Sequence, residues 1–289
     1  MEMLQSLEAT PALFYTTVVV LGLVIGSFLN VVILRLPVIL KDNWSRQCRE
    51  LLEPDQEESE AANQPFNLVR PASHCPACGH RIRAIENIPV VSYIFLRGRC
   101  AACHTRIPLR YPVIELATAI LSAFTALHFG YTPQTAAALV FTWMIIPLCV
   151  IDYDQQLLPD CITLPLLWAG LALSLSDIFI DSRASIIGAL SGYLCLWVIY
   201  HLFKLATGKE GMGYGDFKLL AAIGAWVGWQ LLPVVILFSS VVGAITGILL
   251  IAIKGHQRSQ PIPFGPFLAS AGWMTLLWGR DILDLYLHY

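Results

Sequence analysis

A run without a single charge extends from residue 12 to residue 34. As a helix it is long enough to cross a bilayer core about 30 Å thick, which takes roughly 20 apolar residues. Seven more apolar stretches follow, at roughly 113–129, 134–151, 161–176, 184–203, 217–231, 233–253 and 264–280. Turn-forming sequence separates them: Gly130-Tyr-Thr-Pro133, Leu158-Pro-Asp160, residues 177–183, residues 204–215, the tight Trp229-to-Pro233 break, and residues 254–263. Residues 36–111 are the only sizeable polar region, and no repeat of fixed period is present. The pattern predicts an all-α polytopic membrane protein of about eight transmembrane helices, with a small cytoplasmic domain between the first and second. It divides as 1–35, an anchor; 36–111, the cytoplasmic domain; and 112–289, a membrane-embedded core. The first run does not read as a cleavable signal peptide. Glu2 and Glu8 precede it with no Lys or Arg, and it is too long.

Composition narrows the class. Of 289 residues 56% are apolar and only 13% charged, against about 25% charged in a soluble domain. That excludes a soluble enzyme, a disordered chain and a free nucleic-acid binder. The net charge of −2 hides an uneven placement, because 11 of the 18 Lys and Arg lie between Arg35 and Arg110. Orientation follows from keeping positive loops inside. With the N-terminus outside, 16 of the 18 basic residues face the cytoplasm and only Arg183 and Arg280 do not. Residues 41–64, with seven acids and three bases, read as a solvated connection, least structured at 54–60. Residues 70–110 carry about +6. That charge suits an anionic inner leaflet, where each basic residue contributes on the order of 1 kcal/mol. No aromatic ladder accompanies the arginines, which argues against nucleic acid as a partner.

Four of the eight cysteines have metal spacing: Cys75-Pro-Ala-Cys78, 21 residues, then Cys100-Ala-Ala-Cys103. Two such knuckles supply the four thiolates that a structural zinc prefers, although the gap slightly exceeds the usual window of roughly 15–20 residues. Gly79 frees backbone amides to turn toward sulfur, and Arg81, Arg83, Arg97 and Arg99 offset the net −2 of a tetrathiolate zinc site. A disulfide pair and a redox dithiol are the competing readings. A cytoplasmic location disfavours the first, and the second needs only one CxxC near a βαβ pattern. The spacing predicts one closed, structural zinc per chain, with His74, His80 and His104 as neighbours rather than ligands. Cys149, Cys161 and Cys195 read as small hydrophobes, and Cys48 has no reading.

Acids at the edge of apolar runs are functional candidates. One group is Asp152-Tyr-Asp154 with Pro159-Asp160; the other is Gly213-Tyr-Gly-Asp216. Two carboxylates brought together share a proton, so that one deprotonates water while the other polarises a carbonyl. The bland alternatives are a helix N-cap for Asp216 and solvated loop acids for Asp152, Asp154 and Asp160. Four glycines within 208–215 weigh against a mere cap and let backbone approach a substrate, with Gly213 and Gly215 nearest the acid. Asp152 ends an apolar run and Asp216 opens one. The helix macrodipole on its own therefore disfavours negative charge on the first and favours it on the second.

The Cys75/Cys78 and Cys100/Cys103 knuckles, Asp152 seven residues before Pro159-Asp160, Gly213-Tyr-Gly-Asp216 and Pro263-Phe-Gly-Pro266 occur in this order. Together they resemble the bacterial type IV prepilin peptidases of the long, zinc-knuckle form, over nearly the whole chain. The Gly-x-Gly-Asp element is also similar to that of presenilin-like proteases, which lack the cysteine domain. The resemblance implies a bifunctional inner-membrane enzyme. It would cleave the short basic leader of prepilins and type II secretion pseudopilins on the cytoplasmic side, after glycine and usually before phenylalanine. It would then methylate the new amine from S-adenosylmethionine. The dyad would be Asp152 and Asp216, with Asp154 and Asp160 outside it. No Gly-rich nucleotide fingerprint is present, so residues 36–111 are the expected methylation region by association only. A proton- or cation-coupled transporter using the two acids, and a zinc-dependent membrane scaffold, are the other classes.

Overall fold

The computed structural model describes residues 10–52, 66–254 and 262–287. The acidic segment 54–60 and residues 255–261 of the last polar break lie outside these. Each of the eight apolar stretches forms a helix, and no strand occurs among the described residues. Among the described residues, five helices are long and apolar enough to cross a membrane. Contacts divide the chain into two units, residues 1–124 and 125–289.

The first unit holds α1 (Pro11–Leu52), a 3-10 turn (Ile85–Asn87), the short α2 (Val91–Phe95) and most of α3 (Arg110–Phe129). Gly22 and Gly26 let α1 and α3 approach backbone to backbone. A Cβ on Gly22 would stand 2.8 Å from Ala119 Cα, and one on Gly26 2.7 Å from Glu115 Cα. These two glycines, four residues apart, thus mark a helix crossing. α1 also runs well past the apolar stretch that predicts it, to Leu52, so the solvated connection begins later than residue 41. From Lys41 on the extension is mostly exposed, and half of residues 41–52 are Lys, Arg, Glu or Leu, all good helix formers: Lys41, Arg46, Arg49, Glu50, Leu51 and Leu52. An Arg46–Glu50 pair at 3.8 Å, one turn apart, adds to it.

The second unit contains α4 (Pro133–Gln155), α5 (Asp160–Ser174), α6 (Ser182–Thr207), α7 (Tyr214–Val227), α8 (Leu232–Lys254) and α9 (Gly265–Leu287). Its centre is α7, buried at every position from Asp216 to Val227 except Lys218, as a helix that is apolar nearly all round must be. α5, α6 and α9 surround it. Trp226 fixes the middle of the packing: its ring meets Phe141 edge-on at 5.0 Å, and its Nε1 donates to the Leu166 carbonyl at 2.8 Å. The tight 229–233 break is a 3-10 turn, Trp229–Leu231, entered through Gly228 at φ 84°. α8 is the opposite of α7: in its most apolar stretch only 11% of the residues are buried.

Candidate functional site

Asp152 and Asp216 come together within the second unit. Asp152 lies in the last turn of α4, which ends in a left-handed cap at Gln156, and it is only 6% exposed. Asp216 lies in the first turn of α7 and is 7% exposed. The two carboxylates are near enough to repel one another. Asp152 is not a loop acid, and Asp216 is not the N-cap of α7, although its carboxylate accepts from the Gly213 N–H at that cap. The N-cap of α7 is Gly213, with no side-chain capping bond, and Asp216 Oδ1 is buried without a hydrogen-bond partner. Asp152 is helical and buried, whereas Asp154, two residues on, is exposed.

A residue the sequence reading did not count among the site residues holds Asp152. The backbone N–H of Gly265, first residue of α9, donates to Asp152 Oδ2 at 2.9 Å. The opening amides of a helix have no partner inside it, so the carboxylate satisfies one of them and meets the positive end of the α9 dipole. A Cβ at this position would stand 2.6 Å from the same oxygen. The signal was present in Pro263-Phe-Gly-Pro266, a glycine where a helix begins. The contact also changes the macrodipole argument. Asp152 closes its own helix but receives the N-terminus of another, so helix direction does not separate the two acids.

Around the pair, the start of α7 is pinned to the α4–α5 connection. Lys218 Nζ donates to both oxygens of Asp160, at 2.8 and 2.7 Å. Gly215 lies on Leu158, where a Cβ would approach to 2.8 Å. Gly213 is exposed, and a Cβ there would sit 3.7 Å from Asp216 Oδ2, in front of the carboxylate. Asp160 therefore braces the turn that carries Asp216.

In the first unit the sulfurs of Cys75, Cys78, Cys100 and Cys103 all lie within 4.8 Å of one another. None of the three nearby histidines joins that group. The Cys75–Cys103 separation is 3.8 Å. A tetrahedral ion with metal–sulfur bonds of about 2.3 Å spaces its sulfurs about 3.8 Å apart, so the four thiolates fit a metal of that kind. The two knuckles repeat one backbone pattern. Cys75 N–H donates to His80 O and Cys100 N–H to Thr105 O, each at 2.9 Å. Bridges between His74 and Arg81 and between Arg99 and Arg106 close them. The residue after each second cysteine is left-handed: Gly79 at φ 72° and His104 at φ 56°. The Thr105 hydroxyl, then its backbone N–H, push the Cys103 thiol down to about 6. His80 leans on Glu86 at 3.1 Å.

One further acid is buried in this unit. Glu115, 8% exposed, accepts from the Val90 N–H at 2.7 Å and from Ser27. It is an acid inside the 113–129 apolar run, the same signal that singled out Asp152, and the sequence reading did not use it.

Residues 20–129 match the Bacterial Peptidase A24 N-terminal domain, and residues 139–248 match the Type IV leader peptidase family. The chain is 50% identical over 289 residues to the prepilin leader peptidase/N-methyltransferase of Pseudomonas aeruginosa, covering 100% of this chain and 99% of that one. It is 52% identical over 283 residues to the protein of the same name from Stutzerimonas stutzeri, covering 98% and 97%. A third, from Aeromonas hydrophila, is 52% identical over 285 residues, covering 99% and 98%. No solved structure matches the chain.

Proposed function

Because the chain belongs to the prepilin leader peptidase/N-methyltransferase family, we propose that it cleaves the leader from prepilins and pseudopilins with Asp152 and Asp216 and then methylates the amine it exposes. The observation that carries the peptidase half is the buried carboxylate pair drawn from two helices, one of its oxygens unpartnered and an exposed glycine, Gly213, in front of it. At a shared proton, one carboxylate takes a proton from water while the other donates its own to the scissile carbonyl oxygen. The tetrahedral intermediate collapses as a proton passes to the departing nitrogen. Gly265 holds Asp152 in place through the cycle. Gly213 leaves room for the substrate backbone beside Asp216, and Gly215 serves the site by packing on Leu158.

Cys75, Cys78, Cys100 and Cys103 would hold one zinc, closed to substrate and structural in role. The eight helices are read as membrane spans in a bacterial inner membrane. The N-terminus is periplasmic, and the cysteine domain and carboxylates lie on the cytoplasmic side, where the basic leader is found. The test is leader cleavage by detergent-solubilised protein. Loss on either Asp152→Asn or Asp216→Asn, with zinc still bound, supports the reading. Full cleavage by either variant overturns it.

A further inference from the structure

The methylation half has no motif in the sequence, so its site has to be found in the shape of the molecule. Within the first unit a cavity of about 420 Å³ opens between the middle of α1 (residues 27–35), the start of α3 and the knuckle segment. Small-molecule pockets measure roughly 300–1,000 Å³. Its walls combine what a nucleoside carrying a cation needs. Tyr93 and Tyr111 offer aromatic rings, Asn30 an amide, Glu115 a carboxylate, and Arg35 and Arg106 positive charge that suits a carboxylate on the same ligand. Asn30 and Glu115 are 5% and 8% exposed. Both are held by backbone: Asn30 Nδ2 donates to Tyr111 O at 3.1 Å, and Glu115 accepts from Val90 N–H at 2.7 Å. The polar groups are therefore preset rather than mobile. A buried acid at a membrane edge is costly, and its place in the wall of an open cavity gives it a cationic ligand to meet.

We propose that this cavity is the methyl-donor site, taking an adenosyl sulfonium with its cationic end toward Glu115 and its purine between the tyrosines. The proposal rests on the methyltransferase half of the functional reading. The balance of the step fits a carboxylate here. The amine must first lose a proton from its ammonium form, which Glu115 can accept. The neutral nitrogen then attacks the methyl carbon, the new C–N bond forms, the C–S bond breaks, and the sulfur leaves as a neutral thioether.

Binding of S-adenosylmethionine and of S-adenosylhomocysteine to the full-length, zinc-loaded protein in detergent provides the test, with leader cleavage and methylation followed on the same samples. Val31→Trp, on the α1 wall of the cavity, fills it. Glu115→Gln removes the charge while keeping an oxygen for Val90. The expected result is a tenfold or greater loss of donor affinity in Val31→Trp, with leader cleavage within about twofold of wild type. Glu115→Gln should weaken the sulfonium more than the neutral thioether. Should Val31→Trp lose zinc and cleavage together, Glu115→Gln decides on that contrast between the two ligands. Wild-type protein that methylates prepilin while both variants bind donor normally overturns the cavity assignment alone. Wild-type protein that cleaves but neither binds donor nor methylates overturns the methyltransferase reading itself.

Discussion

Two substitutions next to one another separate the proposed catalytic acid from a bystander. Asp152→Asn should lower leader cleavage by about 100-fold or more, the usual span of a positioned acid or base being 10²–10⁴. Asp154→Asn should keep most activity, because that side chain is exposed on the far side of the same turn. Gly265→Ala tests the contact that no spacing rule revealed. Its methyl would press on Asp152 Oδ2 from 2.6 Å, and a carboxylate displaced by a fraction of an ångström loses its alignment with water and carbonyl. A loss of about tenfold or more in cleavage rate, without loss of folded protein by gel filtration, is the expected outcome. Wild-type activity in Gly265→Ala would show that the hydrogen bond does not position the acid.

The two cysteine knuckles, built alike, make opposite predictions at one equivalent position. Gly79 occupies its left-handed conformation without strain, while His104 holds the same conformation with a side chain, at a cost on the order of 1 kcal/mol. His104→Gly should therefore hold its metal against a higher chelator concentration than wild type, and Gly79→Ala against a lower one. Nothing lies within 4 Å of a Cβ at Gly79, so the backbone alone sets the cost there. Equal midpoints in a chelator titration followed by zinc release would refute the equivalence. Elemental analysis should find one zinc per chain. Its removal should loosen the first unit, since the metal ties two segments 21 residues apart, before leader cleavage falls.

Across the molecule, what could be read from the sequence is what a local pattern specifies. Eight apolar runs bounded by Gly, Pro and charge became eight helices, and two knuckles brought four sulfurs together. The meeting of Asp152 with Gly265, 113 residues away, depends on how helices cross, which no local pattern encodes. The apolar pattern does not reach the end of α1, because its last turns are exposed and held by propensity instead of burial. Helix length poses the remaining question. α5 has 15 residues and α7 has 14, so at 1.5 Å per residue they reach about 22 and 21 Å, short of a bilayer core of about 30 Å. Both begin at the carboxylate end of the unit. A short helix shielded from lipid on all sides can still cross if the bilayer thins or water enters at one end, and α7 is shielded in this way. The proposed topology then puts Asp177 and Gln230 outside and Lys209 inside. Alkaline phosphatase joined after Asp177 and after Gln230 should be active, and joined after Lys209 inactive. An inactive fusion at Gln230 would mean that α7 turns back within the membrane. α8 and α9 would then change direction, and residues 254–263 would move with their basic charge to the outer face. That arrangement puts Lys254 and Arg258 outside and Arg280 inside, leaving 15 of the 18 basic residues on the inner face against 16, so charge placement barely separates the two topologies and the Gln230 fusion decides whether the buried, short α7 is a span.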